Sequence, residues 1–133
     1  MSFNNQHQSF TTIFNDLYFE FINCIVDYFP NDATLLTAKK GLLGIRKLNP
    51  KLIFRVWDYY VVKPYRKEIT ECNIDFFINK DYSQDLGDYS HDSQDVIKAI
   101  DRFREPVKNM NHENQLKIMV YLQSLAKLSD LNN

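Results

Sequence analysis

Glycine and proline are scarce, three and four residues in a chain of 133. With 44% apolar and 14% aromatic residues, that scarcity excludes a collagen-like, low-complexity or disordered chain and leaves room for long uninterrupted elements. Cysteine is scarcer still. Cys24 and Cys72 stand alone, in no CxxC or Cys/His pattern, so two reduced thiols are expected rather than a disulfide framework or a zinc site. No run approaches the ~18 apolar residues of a membrane span. The leading MSFNNQHQ has neither the basic patch nor the apolar stretch of a signal peptide. These absences predict an intracellular chain without membrane contact. It should form a single domain over residues 1–133, with 1–8 and 130–133 flexible.

Catalytic patterns are missing too. His7, His91 and His112 are scattered and form no HExxH pair, GLLGIRK is not a phosphate-binding GxxxxGK[ST] loop, and GxSxG does not occur. The expectation is a non-enzymatic protein with no cofactor and no metal.

Basic residues are absent from positions 1–38, which carry four acidic side chains. Positions 39–67 then carry nine: Lys39, Lys40, Arg46, Lys47, Lys51, Arg55, Lys63, Arg66 and Lys67, against Asp58 alone. Positions 68–105 reverse the sign, with ten acidic residues and four basic. A positive segment between negative flanks attracts an anionic partner, unless the charges are matched within the fold or across a dimer.

Hydrophobic periodicity predicts an all-α fold, a compact single-domain bundle of about five to six helices with one kinked or broken at Pro64. From Phe10 to Tyr28, apolar residues recur every three or four positions, with Asn15, Asp16, Asn23 and Asp27 mainly opposite. Phe29-Pro30 ends that helix and Asp32 caps the next, Ala33 to about Lys47, whose apolar residues are Leu35, Leu36, Leu42, Leu43 and Ile45. Gly41 and Gly44 cost it about 1 kcal/mol each relative to alanine, unless a close backbone approach needs them.

Asn49-Pro50 reads as a capped helix start. The helix places Ile53, Val56, Trp57, Tyr60 and Val61 on one face and Lys51, Arg55, Asp58 and Val62 toward the other, until Pro64 disrupts it near Val62–Lys63. Arg66 to Glu68 continue as a short turn, and Asn73 to Tyr82 forms a short helix or a strand. Ser83 to Ser93 is a loop, with Ser90 or Asp92 capping a helix that Pro106 interrupts. Asn111 caps the last helix, which leaves SDLNN as a tail.

Two local patterns carry a chemical reading. Tyr59, Tyr60 and Tyr65 lie among the basic residues, the ingredients of a surface that neutralises phosphates and stacks bases. Trp57 and Tyr60 fall on the apolar face, however, and are assigned to the core. Asp81 to Asp92 is similar to a calcium-binding EF-hand loop in length and acidic spacing. Its sixth position is Leu86 instead of glycine and its twelfth is Asp92 instead of glutamate, so a solvated acidic loop is the better description.

Asp16-Leu17, Phe29-Pro30, Trp57, DFFINKDYSQDL (Asp75 to Leu86) and ENQLKIMVYLQSL (Glu113 to Leu125) together resemble short uncharacterised helical proteins of large nucleocytoplasmic DNA viruses. The resemblance spans most of the chain. It implies a small all-helical protein made in the infected cell, in host cytoplasm, nucleus or virion, and brings no catalytic residues with it. The sequence thus points to an interaction or assembly factor that binds another protein, or a second copy of itself, through its basic helical surface. Nucleic-acid binding by residues 39–67 is the rival.

Overall fold

The computed structural model describes residues 9–79 and 89–132. These form an all-α bundle: α1 (Phe10–Tyr28), α2 (Ala33–Leu48), α3 (Leu52–Trp57, prolonged by a π-turn Asp58–Val62), α4 (Arg66–Thr70), α5 (Asp75–Asn79), α6 (His91–Lys108) and α7 (His112–Asn132). Among the described residues there is no strand, and no helix is long and apolar enough to cross a membrane. α2 packs along α6 and α1 along α7, with α3 between them.

Local chemistry sets most of the boundaries. Ser9 Oγ accepts the Thr12 amide at the start of α1, and Asp32 accepts the Thr34 and Leu35 amides at 3.0 and 3.2 Å. Ser90 caps α6 through the Ser93 amide, and Asn111 caps α7 through the Asn114 amide at 2.9 Å. α4 ends in a Schellman motif. The Asn73 amide donates to the Glu68 carbonyl at 2.8 Å and the Cys72 amide to that of Ile69 at 3.2 Å, which places Cys72 in the left-handed region at φ 60° where glycine is usual.

The core centres on Trp57, whose ring meets Tyr18, Phe21 and Phe77 at centroid distances of 5.1, 5.7 and 6.3 Å. Trp57 and Tyr60 are buried, as their periodicity requires. Emptying an aromatic site of this kind costs about 3–5 kcal/mol, so this cluster is the anchor that fixes α3 against α1 and α5.

Several expectations need correction. Asp58 and Val62 are buried, at 6% and 0% exposure, although an uninterrupted helix would turn Val62 away from the core. The π-turn accounts for Val62: the Lys63 amide donates to the carbonyl of Asp58, five residues back, at 2.9 Å, and the widened turn rotates Val62 inward, while Asp58, which precedes the widening, is covered by the Lys63 side chain at 3.3 Å. It also eases the clash between the Pro64 ring and the preceding turn. Asn15 is buried rather than outward, because its amide donates to the Pro50 carbonyl at 2.9 Å and pins the α2–α3 corner onto α1.

Asn49 does not cap α3 with its side chain. Its carbonyl accepts the Leu52 amide at 3.1 Å and the helix begins at Leu52. Pro106 does not interrupt α6, since it lies in the last turn, where only one hydrogen bond is lost before the end at Lys108. The expected tail 130–133 is helical up to Asn132, because Ser129 is fully buried and Asp130 pairs with Arg66 at 2.6 Å. Residues 1–8 and most of the acidic loop, including its EF-hand-like part 81–88, lie outside the described residues.

Candidate functional site

The basic segment divides into used and unused charge. Arg46 donates to Asp16 at 2.5 Å and lies over the Phe19 ring at 5.3 Å. Lys63 reaches the buried Asp58 carboxylate at 3.3 Å, and Arg66 reaches Asp130. These three cations are matched by residues 16, 58 and 130. Within the described residues, none is matched by the acidic stretch 68–105. Lys39, Lys40, Lys47, Lys51, Arg55 and Lys67 form no ion pair among the described residues.

α2 explains where much of that free charge points. Leu35, Ala38 and Leu42 are buried against the bundle, whereas Leu36 and Leu43, also among the apolar residues of this helix, are 39% and 42% exposed. Adjacent leucines on a helix diverge by about 100°, so only one of each pair can face α6. The outward stripe therefore reads Leu36, Lys40, Leu43, Lys47, positions that stack along one helix face. Leu48, at the end of α2, is 88% exposed but lies on a different side of the helix from Leu36 and Leu43.

Gly41 and Gly44 are both exposed, Gly44 beside the stripe and Gly41 at the edge of a groove shared with Asp95, Lys98 and Arg102 of α6, and a methyl group built on either would meet nothing within 4 Å. Packing among the described residues does not require them. They leave the α2 backbone open to close approach from outside.

On α3 the outward stripe is Lys51, Arg55 and Tyr59, the last 61% exposed. Arg55 and Tyr59 line a groove with Asn49, Tyr60, Tyr89, Ser90 and Ser93. Tyr89 approaches Tyr60 at 4.7 Å and Tyr59 at 6.3 Å. Of the three tyrosines interleaved with basic residues, Tyr59 alone presents an open ring, because Tyr60 is buried and Tyr65 stacks on Phe76 at 4.9 Å. Tyr89 was not foreseen, being distant in sequence from the basic segment.

Other candidates remain dispersed. His91 is exposed and 3.7 Å from Asp95, and His112 begins α7. Cys24 and Cys72 are free thiols. No group of three or more His, Cys, Asp or Glu residues among those described is arranged to hold a metal ion. No protein-family model, curated protein or solved structure matches the chain.

Proposed function

We propose that the protein is a non-enzymatic interaction or assembly factor that docks an acidic, amphipathic partner protein on the outer face of α2 and the adjoining edge of α3. One observation carries this reading: on α2, Lys40 and Lys47, without an ion pair among the described residues, alternate with the exposed Leu36 and Leu43. A phosphate backbone offers charge and no apolar surface, whereas a protein helix offers both. Gly44, one turn from both Lys40 and Lys47, supports it further, since it admits a partner backbone that a larger residue would hold off. The resemblance to short viral helical proteins, read from the sequence, implies that this activity belongs to an infected cell.

A second reading, nucleic-acid binding, draws on the groove where Arg55 sits beside Tyr59 and Tyr89. There a phosphate would meet the guanidinium and a base would stack on Tyr59. Fluorescence anisotropy separates the two. A labelled helical peptide with glutamate and leucine on one face is titrated beside labelled single- and double-stranded oligonucleotides across a salt series. The first reading predicts peptide binding that is lost in Lys40→Glu/Lys47→Glu. The second predicts oligonucleotide binding, with a duplex salt slope of about −0.9 for each phosphate neutralised, lost in Arg55→Glu and Tyr59→Ala. Neither ligand binding at low salt defeats both.

A further inference from the structure

The sequence Ile118 to Leu122 is five consecutive apolar residues, more than one full helical turn. One packed face cannot take them all. Ile118, Met119 and Leu122 are buried in the bundle, while Val120 is 60% exposed and Leu116, one turn earlier on the same side, is 44% exposed. α7 is thus apolar on a side that the described residues do not cover.

That side faces a groove against α1. The two helices run antiparallel, since Tyr28 bonds to Asn114 near one end and the Tyr121 hydroxyl lies 3.4 Å from Glu20 further along. Leu17 and Glu20 line one wall of the groove, and Lys117, Val120 and Ser124 the other. Glu20 and Lys117 are exposed, stand on opposite walls about one helical turn apart, and have no ion pair among the described residues.

We propose that this groove is the interface for a second copy of the chain, related by a two-fold axis through the groove midway between Glu20 and Lys117. A patch that meets itself across a two-fold axis must be self-complementary. This one is, because the rotation sets Lys117 of each copy on Glu20 of the other, and Val120 and Leu116 pack against the partner's apolar wall. The net charge of −1 leaves little overall repulsion to oppose the pairing. The surface is separate from the basic face of α2, so dimerisation leaves that face free.

Sedimentation equilibrium of the full chain across a wide concentration range tests the proposal. The wild type should be a concentration-dependent dimer. Glu20→Lys and Lys117→Glu each place like charges together in both symmetric contacts and should weaken the dimer by about tenfold or more. An equimolar mixture of these two variants restores both attractive pairs in a heterodimer, so mixing should recover dimer that neither variant forms alone. Val120→Lys, at an exposed position, should give a monomer with an unchanged helical circular dichroism spectrum. The proposal is overturned by a wild type that is monomeric throughout, by single variants as dimeric as the wild type, or by a mixture that stays monomeric.

Discussion

Replacing Val62 with alanine asks whether the π-turn sets the register of α3. At about 3.6 residues per turn, an uninterrupted helix would place residue 62 opposite Ile53, and truncation there would change stability little. Val62 is instead fully buried. Removing two carbons from such a site forfeits about 1.6 kcal/mol of transfer free energy. The residual cavity adds up to about 1 kcal/mol, and the better helix propensity of alanine returns about 0.5 kcal/mol. The expected loss is about 2 kcal/mol, a fall in Tm of roughly 8 °C for a domain of this size. Tyr59→Ala, at an exposed position on the same turn, should shift stability by no more than about 0.5 kcal/mol. Thermal melts followed by circular dichroism measure both. A Val62→Ala melt within 2 °C of wild type, with Tyr59→Ala the more damaging, would refute the register.

Charge reversal separates cations matched within the fold from those left for a partner. Lys47→Glu and Lys51→Glu should leave Tm nearly unchanged, whereas Arg46→Glu, which sets a carboxylate beside Asp16 and removes the contact with Phe19, should cost about 1 kcal/mol; equal losses in chemical denaturation would count against the division. Cys72→Gly relieves a left-handed backbone conformation that costs a non-glycine residue about 1–2 kcal/mol, so urea denaturation should show a gain in stability and not a loss. Burial raises the pKa of the Cys24 thiol, an effect that Lys117 opposes and Asp27 reinforces, and burial together with Glu20 raises that of Tyr121. The native state therefore keeps these protons to higher pH than the unfolded chain does. Their contribution to stability is fully present below the ordinary thiol and phenol range and is lost as pH rises from that range through the raised native values. Melts from pH 7 to 11 should show a decline that is shallower in Cys24→Ala and Tyr121→Phe.

Much of the fold was legible where periodicity and punctuation agree. α1 occupies Phe10–Tyr28 as expected, because a long apolar stripe ends where Phe29 meets Pro30. Asp32 and Asn111 cap as their chemistry suggests. Elsewhere the outcome depended on neighbours remote in sequence. The pairs Leu35-Leu36 and Leu42-Leu43 offer two candidate faces, and only the placement of α6 decides that Leu36 and Leu43 turn outward. The π-turn joins the restriction at Pro64 to the burial of Val62, which a fixed 3.6-residue period cannot represent. The basic residues were visible at once, but their division was not, since Asp16 and Asp130 lie far along the chain from Arg46 and Arg66. Tyr89 joins the Arg55 groove through tertiary packing alone.

The central claim is that an acidic amphipathic helix docks on the lysine and leucine stripe of α2. Two-dimensional amide NMR of the labelled protein, titrated with the glutamate and leucine peptide, tests it most directly. The account predicts saturable shifts concentrated between Leu36 and Leu48, extending to Lys51 and Arg55 and abolished by Lys40→Glu/Lys47→Glu. Shifts confined to Tyr59 and Tyr89 to Ser93, or the same pattern in the reversed variant, would contradict it.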